Sequence, residues 1–331
     1  MFLKKSPAKI NLFLKVKDLR ADGYYNLESL MAFLDIYDEI SVEKSQKFSL
    51  EITGEFAKFI DIDNNLFLTI LKYFQQSFAI SNNLKIKLIK NIPVGAGLGG
   101  GSSNACYFMI LLNKIFNLNL TKKQLQKISF NFGCDIAFFF EDCAQIVGGK
   151  GDELFDYNNF TTLDSLIIYP QINLSTKQVF MEFSKNKNTN FQNNQFEKIP
   201  ENKNFLTTNY SIPDLKNLSI TQILQLPNDL EKPANSIAGV PDLKNLSITQ
   251  ILQLPNDLEK PAISIAGVIY EIIENVKNFN PQFVKMSGSG STIFAIFNDL
   301  SLLENAIQNL QKIYPDFYIK TVKILQSLPN Q

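Results

Sequence analysis

The segment that most restricts this chain is PVGAGLGGGSS, Pro93 to Ser103, which sets five glycines between a strand pattern and a helix pattern. Before it, LKIKLI at 84–89 alternates apolar and polar residues, as a half-buried strand does. After it, GSSNACYFMILLNKIF at 101–116 is apolar almost all round and reads as a buried helix. Glycines at such a junction let backbone N–H groups approach a phosphate closely, and the helix N-terminus adds partial positive charge. Ser102 and Ser103 can add hydroxyl donors. A loop serving only as a tight turn needs fewer glycines.

Two familiar phosphate loops are excluded by particular residues. Gly95, Gly97 and Gly100 have the spacing of the dinucleotide fingerprint. The preceding strand, however, carries lysines where a central parallel strand is apolar, and no Asp or Glu occurs from 101 to 134 to hold a ribose. The Walker A pattern fails because no Lys follows the glycines. A phosphate loop of a third kind remains.

The first acid beyond the loop is Asp135, in GCDIAFFF. A carboxylate followed by an apolar run is poorly solvated, so it needs a cationic partner, unless it serves as a helix cap. Residues 8–16 alternate, with Ala8, Ile10, Leu12, Leu14 and Val16 on one side and Lys9, Asn11, Phe13 and Lys15 on the other. That pattern predicts a half-buried strand with Lys9 and Asn11 on one face. Lys9 is a candidate partner for Asp135, although taken alone it reads as a solvated strand lysine. The chain has no histidine, which removes His-based triads, His-ligated metal sites and the commonest general base.

With 331 residues and 45% hydrophobic content, the chain can bury a large core, and two domains are expected. Lys+Arg and Asp+Glu are equal at 32 each, so no net field draws the chain to nucleic acid or an anionic membrane. A small-molecule partner is expected instead. Polar residues interrupt the apolar positions of MFLKKSPAKINLFLKV, unlike the core of a signal peptide, and no stretch approaches a membrane span. Cys106, Cys134 and Cys143 are too few for a disulfide framework, so the cytoplasm is the expected compartment.

Residues 213–240 and 241–268 match at 27 of 28 positions, differing only as Asn235 against Ile263. Solenoid repeats keep a pattern rather than letters, so this is a tandem duplication and not a repeat fold. The second copy is expected to carry the structural role. After its NDLE at 256–259, Ile265, Ala266, Ile269, Ile272, Ile273 and Val276 predict one apolar stripe on a helix over 258–277. The NDLE of the first copy, at 228–231, leads instead to Val240 and Pro241, which disfavours a continuing helix and marks that copy as a tolerated insertion. The Asn/Lys-rich stretch 184–212 predicts a long surface loop, and a further helix is expected near 301–313.

Several segments together resemble the GHMP kinases. They are PAKINLFL at 7–14, RADGYYNLESL at 20–30, NNL at 64–66, PVGAGLGGGSS at 93–103, GCDIAFF at 133–139, NDLE, and SGSGS at 287–291. The resemblance implies an α+β fold of two domains. The first, 1–157, would be ATP-binding and like domain 2 of ribosomal protein S5; the second, 158–331, would be ferredoxin-like and hold the duplication. ATP would lie on Pro93, Val94, Gly95, Ala96, Gly97, Leu98, Gly99, Gly100, Gly101, Ser102 and Ser103, with its adenine near Asn65. Mg2+ would ride on the nucleotide phosphates, with no metal-ligating side chain assigned. Family roles place Asp135 as the base that takes the substrate hydroxyl proton and Lys9 as the cation that orients it. The substrate implied is a cytidine-diphosphate-linked sugar alcohol held by Asn11, Tyr24, Tyr25, Phe180, Gly288, Ser289 and Gly290, with the cytosine stacked between Tyr24 and Phe180.

Two residues depart from the family pattern. Tyr25 stands where the family usually has His, and Asn104 where it usually has Asp. The alternatives are another GHMP kinase, for homoserine or a mevalonate derivative, and a non-catalytic remnant that binds nucleotide.

Overall fold

In the computed structural model, residues 1–189 and 240–329 are described. The chain opens with a long antiparallel ribbon, β1 (Phe2–Leu19) against β2 (Tyr25–Lys44). β3 (Ser49–Thr53) and β4 (Leu84–Ile89) pair in parallel, which requires a crossover, and α1 (Leu66–Phe78) supplies it. β4 runs antiparallel to β2 with the predicted alternation: Leu84, Ile86 and Leu88 are buried, while Lys85 and Lys87 reach Glu43 and Glu51 on the outside. The glycine segment then leads into α2 (Gly100–Ile115), whose residues 103–109 are all buried. The next helix, α3 (Lys122–Ser129), begins with a capping box between Thr121 and Gln124. A 3-10 helix at Cys134–Phe140 follows, and then β5 (Gln145–Gly148) and β6 (Glu153–Asp156), with β5 paired to β2.

The remaining strands are β7 (Leu163–Tyr169), β8 (Phe283–Met286), β9 (Ile293–Ile296) and β10 (Tyr318–Leu325), all paired antiparallel in the order β10-β7-β9-β8. Between β7 and β8 lie α4 (Thr176–Thr189), α5 (Val240–Asn245), α6 (Ile248–Gln253), α7 (Glu259–Ile265) and α8 (Val268–Lys277). α9 (Leu300–Ile313) joins β9 to β10. Strand, helices, two strands, helix, strand is the ferredoxin-like succession, so the α+β architecture matches the sequence expectation. β10 also pairs with β2, through Ile324 with Leu34 and Leu325 with Phe33, so a single ten-stranded sheet runs through both halves. No helix among the described residues is long and apolar enough to cross a membrane.

Three sequence expectations change. β1 is not half-buried, because residues 6–14 are all buried, on both faces. A register shift between Asn11 and Phe13 inserts Leu12 as an extra residue, so Leu12 and Phe13 join one apolar cluster while Leu14 and Val16 join another. The helix expected over 258–277 is two helices: Ala266 leaves helical geometry at φ −137°, ψ 89°, and Gly267 has no side chain to hold the turn. The break sends Ile265 to solvent, 42% exposed, and turns Ile269, Ile272, Ile273 and Val276 into the core. Of the loop expected at 184–212, residues 184–189 finish α4, and the rest lies outside the described residues, as does the first repeat copy up to residue 239.

Candidate active site

Buried strand β1 brings Lys9 under the glycine loop. Its backbone N–H donates to Leu98 O at 2.9 Å, and its stem packs so close to Gly99 that a Cβ there would stand 2.7 Å from Lys9 Cγ and 2.9 Å from Phe139 Cζ. Gly99 also has φ +69°, a conformation that side-chain-bearing residues rarely adopt. Packing and backbone therefore both demand glycine at this position. The Lys9 ammonium donates to Asn11 Oδ1 at 2.5 Å and stands 3.8 Å from Asp135 Oδ2. Burial pulls the Lys9 pKa down, and the Asp135 carboxylate opposes that. Asn11 Nδ2 donates to Ser29 Oγ at 2.8 Å, and Ser29 Oγ donates to Phe13 O at 2.6 Å, which fixes the Asn11 amide with its oxygen toward Lys9. Asp135 enters from the first turn of the 3-10 helix and is 46% exposed, open to a substrate on one side.

The glycine loop borders a cavity of 340 Å³, lined by Pro93 through Ser102 and by Asn104. Ile52, Ile60, Leu66, Phe67 and Leu88 form an apolar wall beside Asn65 and Lys90. Asn65 caps α1, its Oδ1 accepting from Leu68 N, while its Nδ2 donates to Ile62 O. Ser103 is not at the cavity. It is fully buried, and its hydroxyl accepts from Ser6 Oγ of β1 at 2.7 Å; Asn104, also buried, accepts from the same Ser6 hydroxyl at 2.8 Å while bordering the cavity. Lys90, unmarked in the sequence reading, forms a buried pair with Asp38 at 2.6 Å. The other Asp38 oxygen accepts from the N–H groups of Asn91 and Ile92, so this carboxylate holds the chain just before the loop. Burial lowers the Lys90 pKa, with Asp38 opposing.

On the acceptor side, Gly288 abuts Asn11: a Cβ on it would stand 2.9 Å from Asn11 Oδ1 and 3.7 Å from Lys9 Nζ. Ser289 Oγ meets Thr176 Oγ1 at 3.0 Å, and Gly290 N–H donates to Ser287 O at 2.9 Å. Of the two tyrosines expected at the cytosine, Tyr25 and not Tyr24 lies against Phe180. Tyr25 stacks on Phe180 with ring centroids 5.8 Å apart, meets Phe183 edge-on, and shares a 2.8 Å hydrogen bond with Ser184 Oγ. Tyr24 lies apart, its ring 5.5 Å from the Lys150 ammonium. Successive side chains of an extended segment point to opposite faces, so only one of the two tyrosines can face α4.

A glycine loop at the head of a buried helix, with a lysine and a carboxylate at its flank, defines a phosphoryl-transfer site of the GHMP kind. The family model for the GHMP kinases N terminal domain matches residues 65–142, and that for the GHMP kinases C terminal matches residues 241–316, beginning on the first residue of the second repeat copy. A 4-diphosphocytidyl-2-C-methyl-D-erythritol kinase of Prochlorococcus marinus is 32% identical over 316 residues, covering 94% of this chain and 90% of that protein. One of Caldanaerobacter subterraneus subsp. tengcongensis is 28% identical, covering 94% and 93%. A crystal structure of 4-(cytidine 5'-diphospho)-2C-methyl-D-erythritol kinase superposes with a TM-score of 0.65 at 20% identity, over 97% of this chain and 99% of that one. The chain belongs to the family of 4-diphosphocytidyl-2-C-methyl-D-erythritol kinases, within the GHMP kinases.

Proposed function

We propose that this chain transfers the γ-phosphate of ATP to the 2-hydroxyl of 4-diphosphocytidyl-2-C-methyl-D-erythritol, in isoprenoid precursor synthesis. The observation that carries the reading is the Lys9 ammonium, threaded under Gly99 and held 3.8 Å from Asp135. It puts a cation and a carboxylate at the edge of the phosphate loop. Adenine fits the apolar wall beside Asn65, and the phosphates lie along Gly95 to Ser102 at the N-terminus of α2. Asp135 accepts the hydroxyl proton as the substrate oxygen bonds to the γ-phosphorus. The bond from that phosphorus to the β,γ-bridging oxygen breaks, and ADP leaves with the electron pair. Lys9 aims the carboxylate, with Asn11 fixing the ammonium.

Among the described residues, no cluster of three or more His, Cys, Asp or Glu is placed to hold a metal. Mg2+ would bind chiefly through the nucleotide phosphate oxygens, and Ser102 is the hydroxyl on the cavity lining that would help hold it. When bound, the ion neutralises charge on the transferring phosphoryl group. The test is ADP release with MgATP and, in turn, the cytidine-linked acceptor, mevalonate and homoserine. Turnover of the first alone supports the reading, and turnover of either of the others in its place overturns it.

A further inference from the structure

The loop between β8 and β9, residues 287–292, touches both halves of the site. Gly288 abuts Asn11 on the acceptor side, and Ser287 Oγ accepts from Asn11 N–H at 3.0 Å. On the nucleotide side, a Cβ at Gly97 would stand 2.6 Å from Gly290 O, so the two glycine loops are in backbone contact. Each side has its own anchor. Asn256, 9% exposed, donates through Nδ2 to Met286 O and Gly288 O, both at 2.8 Å, straddling Ser287, while its Oδ1 accepts from Leu258 N–H at 3.0 Å. It belongs to a turn bound to the strand that carries Lys9 and Asn11: Asp257 N–H donates to Leu14 O and Asp257 Oδ2 accepts from Val16 N–H, both at 2.8 Å. Thr292, fully buried, donates through Oγ1 to Ala96 O at 2.6 Å, in the middle of the phosphate loop.

We propose that Asn256 and Thr292 are separate positioning residues of this site, Asn256 setting the acceptor-side loop against Asn11 and Lys9, and Thr292 setting the phosphate loop. Neither side chain lies on the cavity lining. Both act through main-chain carbonyls, so their loss misplaces a loop without removing a ligand contact. The proposal rests on the kinase reading for its substrates, and the kinetic signatures of the two residues are opposite. Asn256→Ala raises acceptor KM about tenfold, the order expected when a pair of hydrogen bonds is lost, and leaves ATP KM within about twofold. Thr292→Val, which keeps the shape and removes the hydroxyl, raises ATP KM severalfold and leaves acceptor KM nearly unchanged.

The experiment is steady-state ADP release with each substrate varied in turn, together with calorimetric binding of a non-hydrolysable ATP analogue. The crossed pattern supports the proposal; equal effects on both substrates, or no effect from either variant, overturn it. Should Asn256→Ala fail to fold, Asn256→Ser retains one donor and is held to the same acceptor-selective outcome. If the wild type turns over none of the acceptor, the functional reading has failed, and hydrogen exchange then decides the proposal. Faster exchange over 287–290 in the Asn256 variant and over 94–98 in Thr292→Val supports it, and unchanged exchange overturns it.

Discussion

Lys9 holds a charge in a place that opposes charge. Burial lowers its pKa from the ordinary 10.5, with only Asp135 pushing the other way. A lysine with a lowered pKa is charged below that value and neutral above it, so the support it gives Asp135 disappears as pH rises. The basic limb of the kcat profile is therefore expected below pH 10.5. Lys9→Arg should lower kcat, since the space under Gly99 is tight, but move the limb upward, because a guanidinium keeps its proton beyond about pH 12. A limb in the same place in both proteins would assign it to another group. Asp135→Asn keeps shape and removes the base, so kcat is expected to fall by ~10²–10⁴-fold with nucleotide affinity nearly unchanged, as checked by turnover and calorimetry. Asp135 and the glycines stood out in the sequence because their chemistry is unusual in its place: a loop of five glycines, and an acid after a stretch with none; Lys9 was singled out by its strand face and by the family resemblance, not by any local oddity. Asn256, Thr292 and the Lys90–Asp38 pair were not. Each is an ordinary residue whose role comes from a partner distant in the chain, as Thr292 is from Ala96, and no local pattern encodes such a contact.

At the scale of elements, simple periodicity succeeded where an element packs on one face and failed where it does not. β4 alternates and is half-buried; β1 alternates as cleanly and is buried on both faces, because its polar residues, Lys9 and Asn11, bond to each other and to Ser29 instead of meeting water. α8 keeps its apolar stripe, yet the predicted longer helix breaks at Ala266–Gly267, a residue pair the stripe does not weigh. The start of β2 carries the consequence for function. Tyr25 covers Phe180, meets Phe183 and bonds Ser184, tying α4 to the ribbon and occupying a ring face on which a base could stack. Tyr25→His takes away the larger ring and its bond to Ser184. Acceptor KM is expected to fall severalfold with ATP KM unchanged, measured by ADP release with each substrate varied. An equal or higher acceptor KM would mean that the tyrosine already serves the pocket.

For the molecule as a whole, the duplication poses the sharpest question of tolerance. In the second copy, 241–268, Asn256, Asp257 and Glu259 bond to the 286–288 loop and to β1. Excising 213–240 joins Ile212 to Pro241 and keeps every one of those bonds. Closing a shorter loop changes the free energy by only ~0.6 kcal/mol per halving, so kcat/KM is expected to stay within about twofold while solubility rises. Asp257→Ala removes the acceptor of the Val16 N–H and should cost about 1.5–3 kcal/mol in a melting comparison, whereas Asp229→Ala is expected to be nearly silent. The reverse ranking would place the first copy in the working position. Above these questions stands the claim that one site, with Asp135 beside Lys9 at the glycine loop, phosphorylates the cytidine-linked methylerythritol. The direct measurement is product stoichiometry by mass spectrometry and ADP assay, with wild type and Asp135→Asn run side by side under MgATP. The expected result is one ADP for each acceptor that gains a phosphoryl group in the wild type, and almost none in the variant although it still binds nucleotide. Folded wild-type protein that binds ATP but leaves this acceptor unmodified, or an Asp135→Asn variant that matches it in rate, would contradict the claim.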